Sequence, residues 1–151
     1  MLLIDAKNIS FSYGNKKILN NIDFQLYQGD VLSLVGQNGC GKTTLLKTLL
    51  GIFKSDGEIK ILSKNINEYK NKELAKLISY VPQIHQIPFD YTVFEVVLMG
   101  RLAHIGLFSN YSQIDKEIAL KALEKVGITN LKDNIYSKIS GGERQLTFIA
   151  R

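Results

Sequence analysis

Gly36-Gln37-Asn38-Gly39-Cys40-Gly41-Lys42-Thr43 is the stretch that decides how the rest of the sequence is read. Gly36, Gly39 and Gly41 let the backbone curl so that successive N–H groups point inward and form a nest for an anion. Val31-Leu32-Ser33-Leu34-Val35 precedes it, a short apolar run expected to be a strand buried on both faces. Thr43 to Leu50 follows as a predicted helix, with Leu45, Leu46, Leu49 and Leu50 on adjoining positions of one face. Gly51 is its stop. The helix start adds partial positive charge to the nest. The Lys42 ammonium is expected to reach the β- and γ-phosphates of a nucleotide, and the Thr43 hydroxyl to ligate Mg²⁺. Asn38, Cys40 and Thr44 belong to the same loop. Cys40 reads as a small residue filling a tight turn, not as a redox or catalytic group.

A phosphate loop by itself leaves ATPases, GTPases and small-molecule kinases open. A GTPase needs a guanine-reading N-K-x-D motif, and the sequence has none. The 151 residues are 45% hydrophobic and 22% charged, which excludes a disordered, collagen-like or disulfide-stapled chain. The net charge of +5 is spread evenly along the chain, without a basic tail or stripe, so nucleic acid is not an expected partner. Cys40 is the only cysteine, which suits a reducing compartment. The start lacks a signal-peptide pattern, and the longest apolar runs, such as Val96–Met99, are far shorter than the ~20 residues of a membrane span. The expectation is a cytoplasmic protein, at most peripheral to a membrane.

Ile9, Phe11 and Tyr13 alternate with polar residues over 8–13, and Ile22, Phe24 and Leu26 alternate again after the Gly14-Asn15 turn. The first 27 residues therefore read as antiparallel β structure. Asp56-Gly57 is expected to be a turn into a strand over Glu58–Leu62, Lys70–Leu77 a short polar helix, and Ile78–Val81 a strand ended by Pro82. Residues 93–100 and 114–126 carry helical spacing, with Ile114, Ile118, Leu123 and Val126 in the second, which Gly127 closes. Ser140 and Glu143 have the spacing of a capping box that opens a last helix through Leu146, Ile149 and Ala150.

Ile139-Ser140-Gly141-Gly142-Glu143-Arg144-Gln145 closely resembles the signature motif of ABC-type ATPases, usually L-S-G-G-Q, and with the phosphate loop upstream the resemblance runs from Ile4 to Arg151. Ile139 and Glu143 depart mildly from the usual leucine and glutamine. The resemblance implies an α/β fold: a P-loop NTPase (RecA-like) core with an antiparallel β subdomain and a helical subdomain. It implies a core over residues 1–83, a helical subdomain over 84–139, and the signature with the start of its helix over 140–151. Tyr13 falls where the family stacks an aromatic on adenine. Gln83 falls at the glutamine that senses Mg²⁺ and the γ-phosphate. Ser140, Gly141, Gly142 and Glu143 would face the ATP of a partner subunit in a homodimer or paired ATPase.

Val93-Phe94-Glu95-Val96-Val97-Leu98-Met99-Gly100-Arg101, followed by His104, resembles the ATPases of importers for iron–siderophore complexes, haem and cobalamin. Ala103 stands where that group has proline. Zinc or manganese importers, a non-transport ABC ATPase and a non-catalytic nucleotide-binding module are the alternatives. The region near 83–104 would meet a membrane permease subunit, with Tyr91, Val93, Phe94 and Val97 either as apolar anchors or as core. His85 and His104 are expected to be surface or packing residues, not metal ligands. The family's strand ending in aspartate and catalytic glutamate, its D-loop and its switch histidine are not found. The chain therefore reads as an N-terminal fragment, truncated before the Walker B strand, that hydrolyses little ATP by itself and is prone to aggregate.

Overall fold

The computed structural model describes residues 1–83, 89–106 and 109–151. They divide into two compact units, Met1–Ile78 and Ser79–Arg151.

The first unit is built on a four-stranded antiparallel sheet. Strand β1 (Leu2–Tyr13) pairs with β2 (Lys16–Tyr27) on one side and β3 (Asp56–Ile61) on the other, and β4 (Lys64–Asn65) adds to β3. β1 is longer than the alternating stretch 8–13 suggests, because its first residues pair on both sides: Ile4 lies opposite Leu26 and Ile61. Period-two alternation puts Ile59 and Ile61 inside, where they meet Ala6, Ile9 and Leu19. Helix α1 (Lys42–Leu49) sends Leu45 into this core, and Ile66 of the 3₁₀ turn Ile66–Glu68 and Leu74 of helix α2 (Asn71–Leu77) close it. The buried side of α1 is Leu45 and Thr48; Leu46 is exposed, so the four leucines do not form one buried face.

Two predicted strands do not form. Val31–Val35 has no regular structure, and Val31 and Val35 are each 92% exposed. Ile78–Val81 is irregular as well, with Tyr80 and Val81 exposed. An apolar run becomes a strand only when a neighbour takes up its N–H and C=O groups. The strands of this sheet pair with one another, and no described residue pairs with either segment.

Asp56-Gly57 is not a turn but the first part of β3. Pairing slips between Lys7 opposite Glu58 and Ser10 opposite Asp56, three steps on β1 against two on β3. The extra residue makes a bulge. Asn8 sits there at φ 54°, its N–H donating to Asp23 Oδ1 at 2.7 Å. Gly57 faces it at φ +89°, and a Cβ at this position would run into the carbonyl oxygens of Lys7 and Asn8.

The second unit is helical. Helix α3 (Val93–Leu98) continues into a 3₁₀ turn over Met99–Ala103, and helices α4 (Gln113–Lys125) and α5 (Gly141–Ala150) pack on it. All three start with the same device: Thr92 with Glu95, Ser112 with Asp115, and Ser140 with Glu143 form capping boxes. The core holds Val93, Val96, Val97, Leu98, Ala119, Leu123, Ile128, Tyr136 and Ile139. Val93 and Val97 are thus core residues and cannot anchor a permease; Tyr91 and Phe94 lie half-buried against the same cluster. In α4 the inward residues are Asp115, Ala119 and Leu123, whereas Ile114 and Ile118 are exposed. Asp115 turns that side inward because it closes the Ser112 cap and pairs with Arg101 at 3.0 Å. No helix among the described residues is long and apolar enough to cross a membrane.

Gly57→Ala places a methyl group against two carbonyls in left-handed backbone. It should destabilise the chain by more than about 1 kcal/mol, read as a lower urea midpoint. Gly142→Ala, where a Cβ meets nothing within 4 Å, should leave the midpoint nearly unchanged.

Candidate functional site

Lys42, the first residue of α1, anchors the phosphate loop. Its Nζ donates to the carbonyl oxygens of Gly36 at 2.7 Å and Gln37 at 2.8 Å, and lies 3.7 Å from Cys40 Sγ. The loop is thereby closed into a ring by its own cation. The Cys40 N–H adds a long bond to Gln37 O at 3.3 Å. Gly41 holds the helix entry at φ 101°, and its carbonyl accepts from the Leu45 N–H at 2.8 Å. A Cβ on Gly41 would lie 3.1 Å from both Ile18 Cγ2 and Leu19 Cδ2 and 3.2 Å from Ile18 O. Only glycine lets the loop come this close to β2. Asn38, Gly39, Cys40 and Thr43 are exposed, with Thr44 half-buried beneath them. The first N–H groups of a helix lack intrahelical partners. At α1 they share one surface region with the Lys42 ammonium and the Thr43 hydroxyl, a donor-rich cradle suited to a polyphosphate. Thr43, at that helix start, offers a hydroxyl oxygen that fits a hard cation such as Mg²⁺.

Tyr13 closes β1 and is half exposed. Its ring packs edge-on against Phe11, with centroids 4.9 Å apart at 87°, and against Phe53, 5.7 Å apart at 86°. Phe11 and Phe53 are themselves stacked, 5.1 Å apart at 16°. Lys47 Nζ lies 5.5 Å from the centre of the Phe53 ring. Sequence reading singled out Tyr13 and missed its two supports. The Phe11-x-Tyr13 spacing could have signalled one same-face aromatic pair; nothing in the sequence marks Phe53, which follows α1 and comes to Tyr13 only through the β1–β3 pairing.

Gln83 is exposed in a bend and belongs to the second unit, whereas Thr43 belongs to the first. His85 lies outside the described residues. His104 is exposed just after the 3₁₀ turn, and its N–H donates to Arg101 O at 2.8 Å. Among the described residues no group of three or more His, Cys, Asp or Glu side chains could hold a metal ion.

Ser140 caps α5. Its hydroxyl accepts from the Glu143 N–H at 3.3 Å, and its own N–H donates to Glu143 Oε2 at 2.7 Å. The Ser140 N–H first, and the Ser140 hydroxyl beside the carboxylate second, hold the Glu143 carboxyl below its ordinary value of 4.5. Gly141 and Gly142 are exposed, and a Cβ on either meets no atom within 4 Å. Among the described residues of this unit nothing requires their smallness, and the surface above this end of α5 is open. Behind them, Tyr136 Oη and Arg144 Nε are buried without a hydrogen-bond partner among the described residues.

The family profile for the ABC transporter matches residues 19–151. A Helicobacter pylori protein named "Probable iron chelatin transport ATP-binding protein" is 39% identical over 99% of this chain and 60% of its own length. The "Manganese transport system ATP-binding protein MntB" of Halalkalibacterium halodurans is 36% identical over 99% of this chain and 58% of its own. Among solved structures, a nucleotide-free ATP-binding cassette from an ABC transporter superposes with a TM-score of 0.86 at 27% identity, over 99% of this chain and 64% of that one. The chain belongs to the ABC transporter ATP-binding family, and its α/β fold is that of the family's P-loop NTPase domain. It spans about 60% of the length of the curated relatives it matches.

Because the folded carboxyl of Glu143 titrates below its unfolded value, its contribution to stability is complete above about pH 4.5 and is lost as pH falls through the lowered folded value. Glu143→Gln keeps an acceptor for the Ser140 N–H without the charge. Its thermal midpoint should fall less steeply than that of the parent chain between pH 5 and pH 3, in ~0.5-unit steps of a thermal-melt series.

Proposed function

We propose that this chain is the nucleotide-binding portion of the ATP-hydrolysing, energy-coupling subunit of an ABC importer. The observation that carries the reading is the Lys42 clasp: an ammonium held on two loop carbonyls at the start of a helix whose entry residue only glycine can supply. A nucleotide polyphosphate offers that ammonium full negative charge in place of two carbonyl dipoles, and charge-assisted bonds are about twice as strong as neutral ones. Lys42 then holds the β- and γ-phosphates. The N–H groups of Gly39, Cys40, Gly41 and Thr44 cradle the remaining oxygens, with Gly36 and Asn38 shaping the loop. Thr43 is the proposed Mg²⁺ residue of the loop, and Gln83 is the second that the family resemblance assigns; Mg²⁺ would neutralise phosphate charge. Tyr13 takes the adenine ring. Ser140, Gly141, Gly142 and Glu143 meet the ATP of a second ATPase subunit, a role supported by the open space above both glycines.

In this reading residues 1–83 form the core, 84–139 the helical subdomain that meets a permease near 83–104, and 140–151 the signature. The subunit works on the cytoplasmic face of a membrane. The transported substrate is an iron chelate, haem or cobalamin; the name of the Helicobacter pylori relative supports the first of these. The manganese relative favours a second reading, a manganese importer. We infer that this chain alone binds nucleotide with little turnover, since its sequence contains no strand ending in the aspartate and glutamate that would orient the attacking water.

Titration of the 151-residue chain with Mg-ATP in a calorimeter should show binding that Lys42→Ala weakens at least about tenfold. Equal affinity in the two proteins would sink the nucleotide-site reading. Robust phosphate release that Lys42→Ala abolishes would show instead that the chain turns over unaided.

A further inference from the structure

Phe53 carries no role in the proposed nucleotide site, yet the aromatic cluster at the end of β1 is organised around it. Tyr13 is half exposed at a strand end, where a ring turns easily about its two side-chain bonds. Two edge-on contacts restrain it here, to Phe11 at 4.9 Å and Phe53 at 5.7 Å, both within a few degrees of perpendicular. Phe11 and Phe53 present these restraints as one unit because they are stacked at 16°. Phe11 shares β1 with Tyr13, so by itself it fixes one direction only. Phe53 arrives from the far end of α1, the helix that starts at Lys42, and Lys47 of that helix lies over its ring.

We propose that Phe53 is a positioning residue for base recognition: stacked on Phe11, it fixes the Tyr13 ring in the orientation that accepts the base of a purine nucleotide, while the phosphate loop acts independently of it. The proposal rests on the reading of Tyr13 as the base platform. Without Phe53, ordering of the ring falls on the binding step, and an ordering cost of one side chain corresponds to a roughly three- to tenfold loss in affinity.

The test compares two probes on the 151-residue chain by calorimetry: ATP, which engages base and phosphates, and inorganic tripolyphosphate, which engages the loop alone. Phe53→Leu and Phe53→Met both keep apolar volume without a flat ring, so a folding failure of one leaves the other. Each should weaken ATP roughly three- to tenfold and leave tripolyphosphate unchanged. Phe53→Tyr, which keeps the stack, should restore ATP affinity. The chain has no tryptophan, so Tyr13→Trp gives a single reporter, and adding Phe53→Leu to it should lower the indole's fluorescence anisotropy. Unchanged ATP affinity in both Phe53 variants, while Tyr13→Ala weakens ATP, overturns the proposal and leaves the Tyr13 reading standing. An equal loss for tripolyphosphate also overturns it, because Phe53 would then act on the loop. ATP affinity untouched by Tyr13→Ala removes the platform reading and this proposal together.

Discussion

The approach of Gly41 to β2 is the constraint on which the first unit depends. Left-handed backbone costs an ordinary L-residue about 1–2 kcal/mol, and here a side chain would also press on Ile18 and Leu19 from 3.1 Å. With glycine in place, three features share one point: the sheet edge at Ile18–Leu19, the rim of the loop, and the first turn of α1. Leu19 is 2% exposed and Leu45 5%, so the helix that carries Lys42 is seated directly on the sheet core. The site is therefore rigid where it needs to be, at the root of the lysine, and open where a ligand enters.

The second unit reaches its form by repetition of one local solution. Threonine or serine before each helix takes the N–H of the third helical residue, and a carboxylate there returns the bond. The signature serine is one of these three caps. What distinguishes it is the neighbourhood: α3 and α4 follow their caps with Val93-Phe94 and Gln113-Ile114, whereas α5 follows with two glycines under open space. A helix start shared by all three has been stripped of side chains at one of them.

Features that depend on local geometry were legible in the sequence. The phosphate loop, the Ser140–Glu143 box, the Gly14-Asn15 turn and the short helix after Lys70 all follow from residue types at fixed spacing. Features that depend on a partner were not. Val31–Val35 has the composition of a buried strand, but composition does not say which backbone will stand beside it. Gly57 announces unusual backbone, yet a turn and a bulge call for the same residue, and only the slip opposite Asn8 separates them. Ile114 and Ile118 look like core until Asp115 is seen to be held from two sides, by Ser112 and Arg101. Phe53 is ordinary in the sequence and becomes informative only when pairing of β1 with β3 brings it to Tyr13.

The clasp of Lys42 on Gly36 and Gln37 makes the loop its own competitor. An entering anion has to displace two carbonyls that already lie 2.7 and 2.8 Å from the ammonium. Gly36 and Gln37 begin the loop, so release of their carbonyls would free its first residues as the cation changes hands. In the proposed nucleotide site, charge density on the ligand would decide whether the clasp opens, and a chain of phosphates carries more of it than a single small anion.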